Sequence, residues 1–198
     1  MITSKPERRE AAIVNAELRN FTRLSEMLQP DKVLALANEF FSLCAMTITA
    51  NAGKVLSVQN DMMVGAFATG PKKDFAAKAL KSAQDLQREF GALGEQWKKD
   101  YGLPAAISAA VHIGAAVFGM AGPIAHQQFV AFGDCVSVTE RLVHRARAGE
   151  VILSLDFMKA LGTSAQSLGA EELPPLEIGK RPPIPIYGMA LESRLDFT

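Results

Sequence analysis

From Leu103 to Gly133 the chain carries no lysine, arginine, aspartate or glutamate. A run this long without charge either crosses a bilayer or lies in a sheet that is buried on both faces. Its content favours the sheet. Alanine and glycine predominate, Ser108, His112, Pro123, His126, Gln127 and Gln128 lie inside it, and no basic cluster directly flanks it, unlike the flanks of a membrane span. "PAAISAAVHIGAAVFG" reads as a strand, "MAGPIAHQ" as a turn and "QFVAFGD" as a second strand. No membrane span is expected.

The rest of the chain is built to surround such a sheet. Its 198 residues suffice for one domain with a sizeable core. Lysine plus arginine equals aspartate plus glutamate, 21 each, so there is no electrostatic footprint for nucleic acid, a polybasic membrane surface or a strongly acidic partner. Cys44 and Cys135 stand far apart in apolar surroundings and read as two buried thiols. No cysteine–histidine cluster has zinc spacing. The polar start "MITSKPERRE" lacks an apolar signal region, which points to the cytosol.

Residues 1–10 read as a charged tail or linker remnant, 11–190 as the domain and 191–198 as a second tail. "AAIVNAEL" (11–18) suits a core strand. Asn20 is placed to cap a helix starting near Phe21, and Pro30-Asp31 opens a longer one. In that longer helix Val33, Leu34, Leu36, Ala37, Phe40, Phe41, Cys44 and Ile48 recur at helical spacing, until Asn51-Ala52-Gly53 stops it. Lys54 to Phe67 predicts two strands joined at a polar kink, Gln59-Asn60-Asp61. An amphipathic helix follows Gly70-Pro71, with Phe75, Ala79, Leu80, Ala83, Leu86 and Phe90 inward. After the uncharged strand pair come a helix ending at Gly149, a strand with a short helix over "EVILSLDFMKALG", and a proline-punctuated strand pair whose prolines belong at an edge or in a loop. Helices alternating with hairpins predict an α+β, ferredoxin-like sandwich.

Read in order, these segments resemble the catalytic domain of the class III nucleotide cyclases, the adenylyl and guanylyl cyclases, over about residues 11–190. "NAELRNFTRLSEML" is similar to that family's first-strand motif, in which a metal-binding aspartate precedes a basic-glycine-phenylalanine-threonine turn. "NAGKVLSVQNDMMVGAF" is similar to the strand–hairpin–strand that carries the second metal aspartate. "VHIGAAVFGMAG" resembles the histidine-threonine-glycine strand, and "FVAFGDCVSVTERL" the tyrosine-x-x-x-glycine-aspartate segment with its asparagine-to-arginine helix. "VILS" and "GKRPPIPIYGM" stand where the closing strands stand. The resemblance implies a ferredoxin-like βαββαβ sandwich of the class III cyclase type, with a C-terminal strand extension.

It also implies a chemistry. Attack of a ribose 3′ hydroxyl on the α-phosphate of ATP or GTP uses two divalent ions, Mg²⁺ or Mn²⁺, and such hard ions want carboxylate oxygens. The implied metal site is Glu17, Leu18 and Asp61. Glu17 stands where the family has aspartate, one methylene shorter, and Asn60 stands for the glycine before Asp61. The other reading of Asp61 is a turn residue bonding its own backbone. Asn20, Phe21 and Thr22, with Arg19 before them, occupy the turn that holds the triphosphate through backbone amides, although an ordinary capped helix with Phe21 in the core has the same sequence. The purine-selecting lysine falls at Ser57 and the second base-reading residue at Val130, and valine makes no hydrogen bond. The ribose-orienting asparagine falls at Ser137. The transition-state arginine is kept as Arg141, or is a solvated helix-surface arginine beside Glu140. His112 reads as a core histidine, and Asp134 as a carboxylate at a helix start.

Family members work as dimers with shared sites, one chain giving the metal carboxylates and the other giving base recognition, the asparagine and the arginine. The expectation is therefore a cyclase-homology domain, weakly active or inactive as a homodimer, kept for dimerisation or regulation. It could also form a heterodimer with another cyclase domain. The rival readings are an active adenylate or guanylate cyclase using Glu17 and Asp61, and a ferredoxin-like ligand-binding module that is not a cyclase.

Overall fold

In the computed structural model, which describes residues 5–190, the uncharged stretch forms β4 (Ala106–Ala121) and β5 (Gln128–Phe132), joined through a turn with one 3₁₀ segment at Ile124–His126. β4 is the hub of an eight-stranded sheet. Its other strands are β1 (Glu7–Arg19), β2 (Lys54–Gln59), β3 (Met62–Phe67), β6 (Glu150–Ser154), β7 (Glu171–Leu176) and β8 (Ile184–Ala190). The order is β2-β3-β1-β4-β6-β8-β7, with β5 pairing β4 outside that path. Only β4–β6 is parallel. The first four strands, with the helices between them, make the expected ferredoxin-like unit, and β6, β8 and β7 are the C-terminal extension.

Alternation along the strands sorts the two faces. Ala12, Val14, Ala16 and Leu18 of β1 and Ile107, Ala109, Val111 and Ile113 of β4 join one core. The other side of that core comes from α2 (Pro30–Ala50) and α3 (Lys72–Tyr101). All six residues expected inward on α3 are buried there. Phe90 meets Phe40 and Trp97 edge to face, with Trp97 at 5.5 Å, and Trp97 Nε1 donates to Glu39 at 2.8 Å. On the opposite face, α4 (Asp134–Arg145) lays Val138, Leu142 and Val143 over Ala110, Ile152 and Ile186. The long apolar α2 would suffice in length and composition to cross a membrane, yet Leu36, Phe40, Cys44 and Ile48 pack into the core.

Several expectations need correction. β1 begins at Glu7, inside the expected tail, because ladder pairing uses backbone groups. Residues 7–10 pair with β4 while Arg9 bonds Glu7 and Lys72 bonds Glu10 at the surface. α1 (Phe21–Met27) starts where expected, but Asn20 offers no side-chain cap. It takes a left-handed conformation at φ 65°, and its carbonyl accepts from Leu24 N–H. Leu34 is 63% exposed, since the apolar stripe of α2 is wider than the core it meets. α4 ends at Arg145, because Ala146 turns to extended backbone. A short helix at α5 (Leu155–Leu161) was expected; a further turn at α6 (Ala165–Leu168) was not. Of the prolines expected at an edge or in a loop, Pro182 and Pro183 precede β8, but Pro185 lies within it, between β6 and β7. The edge strand β7 instead holds Pro174 and Pro175, where the register shifts. The 191–198 tail lies outside the described residues.

Candidate active site

The end of β1, the β2–β3 turn and the start of α1 converge. Leu18 N–H donates to the Asp61 carbonyl at 2.8 Å, tying the hairpin tip to β1. Asn60 holds the tip at φ 47°, a conformation asparagine tolerates better than most side chains in place of glycine. Together these segments line a pocket of about 560 Å³ that takes in Glu17, Leu18, Asn20, Phe21, Thr22 and Asp61. Every residue implied for the metal and phosphate half thus borders one space.

Glu17 is the most constrained of them. Its side chain is 12% exposed and both carboxylate oxygens face side-chain nitrogens. Arg19 Nη1 donates to Oε1 at 3.1 Å, and His144 Nδ1 lies 3.3 Å from Oε2. Arg19 also lines the pocket, as do Arg23, Glu26 and Met27. Arg23 and His144 were not among the expected site residues. Arg19 was legible as a neighbour, since residues two apart on a strand share a face. His144 arrives from 127 positions along the chain, and no local pattern announces it.

The residues implied for base and ribose do not line this pocket. Ser57 is half-buried on β2 opposite Val64, beside a register shift. Val130 is half-buried on β5 opposite Gly119. Ser137 and Arg141 are exposed on α4. His112 is buried, with Nδ1 2.7 Å from Ser154 Oγ, and burial pushes its pKa down. It is a satisfied core histidine, as expected. Asp134 lies in the first turn of α4 and receives Arg181 Nη1 at both carboxylate oxygens, 2.8 and 2.7 Å. Cys44 and Cys135 are free and buried, and burial raises the pKa of each thiol.

Two carboxylates facing one polar pocket match a hard divalent ion in donor chemistry. Among the described residues no cluster of three or more histidine, cysteine, aspartate or glutamate side chains could hold a metal ion. Any ion here would take Glu17, Asp61 and main-chain or ligand oxygens, with Arg19 and His144 yielding the Glu17 oxygens.

The chain belongs to the adenylate and guanylate cyclase catalytic domain family, whose sequence profile matches residues 3–182. Two curated relatives come from Rhizobium meliloti (strain 1021). Adenylate cyclase 1 is 29% identical over 138 residues, 68% of this chain and 20% of that protein. Adenylate cyclase 2 is 26% identical over 177 residues, 85% of this chain and 48% of that protein. The chain thus spans less than half the length of either. Among solved structures, the adenylyl cyclase CyaB from P. aeruginosa superposes with a TM-score of 0.86 at 20% identity, covering 98% of this chain and 100% of that one. The fold is that of a class III cyclase catalytic domain, and family membership removes the reading of an unrelated ferredoxin-like ligand module.

Proposed function

We propose that this domain acts in cytosolic cyclic-nucleotide signalling as a cyclase-homology module, weakly active or inactive as a homodimer, with dimerisation or regulation as its role. The observation that supports this reading is the state of Glu17. Its carboxylate is engaged by Arg19 and His144, and it is one methylene longer than the aspartate of the family pattern. Ions held for in-line attack need ligand placement within roughly half an ångström. Bound Mg²⁺ or Mn²⁺ would supply charge neutralisation at the phosphates and a lowered hydroxyl pKa. The chain's own part is to hold the ions through Glu17 and Asp61 and the triphosphate through the Asn20–Thr22 turn. Ser57 and Val130 offer a purine no charged or bidentate partner. Binding of ATP or GTP is thus driven by the phosphates and is nearly indifferent to the base.

A second reading is an active cyclase with unusual substrate selection. It is favoured by the gathering of Glu17, Asp61 and the phosphate turn in one pocket and by the retained Arg141. A Mn²⁺-supplemented assay with ATP and with GTP separates the two. Little or no cyclic nucleotide, alongside Mn²⁺-dependent triphosphate binding, fits the first. Sustained turnover with either purine establishes the second.

A further inference from the structure

Ser137, Arg141 and His144 are spaced i, i+4 and i+7 on α4 and so form one stripe along the helix. All three are exposed, while Val138, Leu142 and Val143 pack inward. The start of the helix is held by Arg181 on Asp134 and its end by Arg145 Nη1 donating to the Pro175 carbonyl at 3.2 Å. The stripe itself ends on a third anchor, the His144 contact to Glu17 at 3.3 Å. The carboxylate at the metal position and the helix carrying Ser137 and Arg141 are therefore joined within one chain, by one side chain.

We propose that His144 is a positioning residue that couples divalent-ion occupancy at Glu17 to the placement of the Ser137–Arg141 stripe. The inference rests on Glu17 being a metal ligand. An ion at Glu17 competes with Arg19 and His144 for the charge and lone pairs of the carboxylate. Its entry therefore releases His144, and with it one anchor of α4. Coupling of this kind is reciprocal: whatever draws His144 away from Glu17 also favours the ion. In a dimer whose stripe serves the opposite site, ion binding in one half then changes the presentation of Arg141 to the other. Arg19 does not give this link, because it lies on the same strand as Glu17 and moves with it.

The full chain has three histidines, so ¹³C-histidine NMR follows each ring, with His144 assigned by its loss in His144→Gln. On addition of Mg²⁺ the His144 ring signal moves along the same saturation curve as ion binding, His112 and His126 stay in place, and Glu17→Gln abolishes the movement. By Mn²⁺ electron paramagnetic resonance, His144→Ala binds the ion about two- to five-fold more tightly, the scale of losing one partly exposed polar contact. His144→Gln, which keeps an N–H donor, stays near the parent affinity. Unchanged Mn²⁺ affinity in His144→Ala, with weakened binding in Glu17→Gln, overturns the coupling and leaves the metal site standing. Unchanged binding in both Glu17→Gln and Asp61→Asn overturns the metal site and the coupling together.

Discussion

Leu18 and Asp61 are joined through main chain alone: the Leu18 N–H donates to the Asp61 carbonyl at 2.8 Å. The hairpin tip therefore keeps its place on β1 whatever side chain stands at 61, and the carboxylate is left for the pocket it lines. Asp61→Ala is expected to change unfolding free energy by no more than about 0.5 kcal/mol, as for substitutions away from packing and caps. It should weaken Mn²⁺-dependent triphosphate binding about ten-fold or more, since even outer partners of metal ligands cost 10–100-fold when removed. Calorimetry with and without Mn²⁺, beside a denaturant melt, measures both. A large loss of stability with unchanged binding would make Asp61 a turn residue and nothing more.

Base selection is expected to be nearly absent in the parent chain. A hydrogen bond to a charged group contributes about 1.5–3 kcal/mol, roughly 10- to 150-fold in affinity, and neither Ser57 nor Val130 offers a charge. ATP and GTP should bind within a few-fold of each other. The double substitution Ser57→Lys, Val130→Asp should open a purine preference of ten-fold or more on that same scale. A strong preference in the parent chain would show that some other residue reads the base.

Much of this architecture was legible because it follows from periodicity. Phe75, Ala79, Leu80, Ala83, Leu86 and Phe90 are buried where a 3.6-residue repeat places them, and the Asn60-Asp61 turn falls at the polar break between two apolar runs. The first residues of β1 were not legible. Glu7 to Glu10 pair through backbone groups that side-chain identity does not report. The site divides in the same way. That Glu17, Leu18 and Asp61 border one pocket was legible, but what Glu17 touches depends on where α4 lies on the sheet. That placement is set by the packing of Val138, Leu142 and Val143 over Ala110 and Ile152, a tertiary fact with no signature near His144.

His112 should leave a mark on the pH dependence of stability. Burial lowers its pKa from the ordinary 6.5. The charges of Asp156 and Asp134 act in the raising direction, and Arg181 in the lowering one. The unfolded chain therefore takes up a proton that the folded chain resists, and stability falls as pH drops from 6.5 toward the depressed folded value. The contribution is fully present above that window. Urea midpoints of the parent chain and of His112→Gln between pH 8 and pH 5 should show a shallower acid-side decline in the variant. Parallel curves would mean that His112 protonates in place without cost.

Val117 and Phe132 are cross-strand partners on β4 and β5, and both are exposed, at 40% and 67%. Only the outer end of the uncharged run presents such a surface. Residues 105–113 are buried within their own chain, so the patch left for a second copy is smaller than the whole uncharged run implies. Homodimerisation through the β4–β5 arm would cover this apolar pair. Light scattering at tens of micromolar should give a dimer for the parent chain and a monomer for Phe132→Glu, because a charge there would be buried without a partner. A parent monomer at that concentration would count against the homodimer.

The two halves of the implied site differ in what they keep. Glu17, Asp61 and the Asn20–Thr22 turn share one pocket, while of the lysine, base-reading, asparagine and arginine positions only Arg141 keeps the family side chain. This asymmetry suits a chain that lends metal carboxylates to a different cyclase chain supplying the base-reading half. The test is to mix this domain with an active family homodimer whose two metal aspartates have been changed to alanine, so that neither partner alone has a complete site. If Glu17 can hold its ion once Arg19 and His144 give way, cyclase activity appears on mixing and disappears with Asp61→Ala. The opposing force is measurable in the same experiment. His144→Ala removes one of the two side-chain nitrogens facing Glu17 and should lower the Mn²⁺ concentration needed for half-maximal activity. If a heterodimer forms by native mass spectrometry yet stays silent at every Mn²⁺ concentration, with and without His144, the longer Glu17 carboxylate misplaces the ion. In that case the metal half, too, is purely structural.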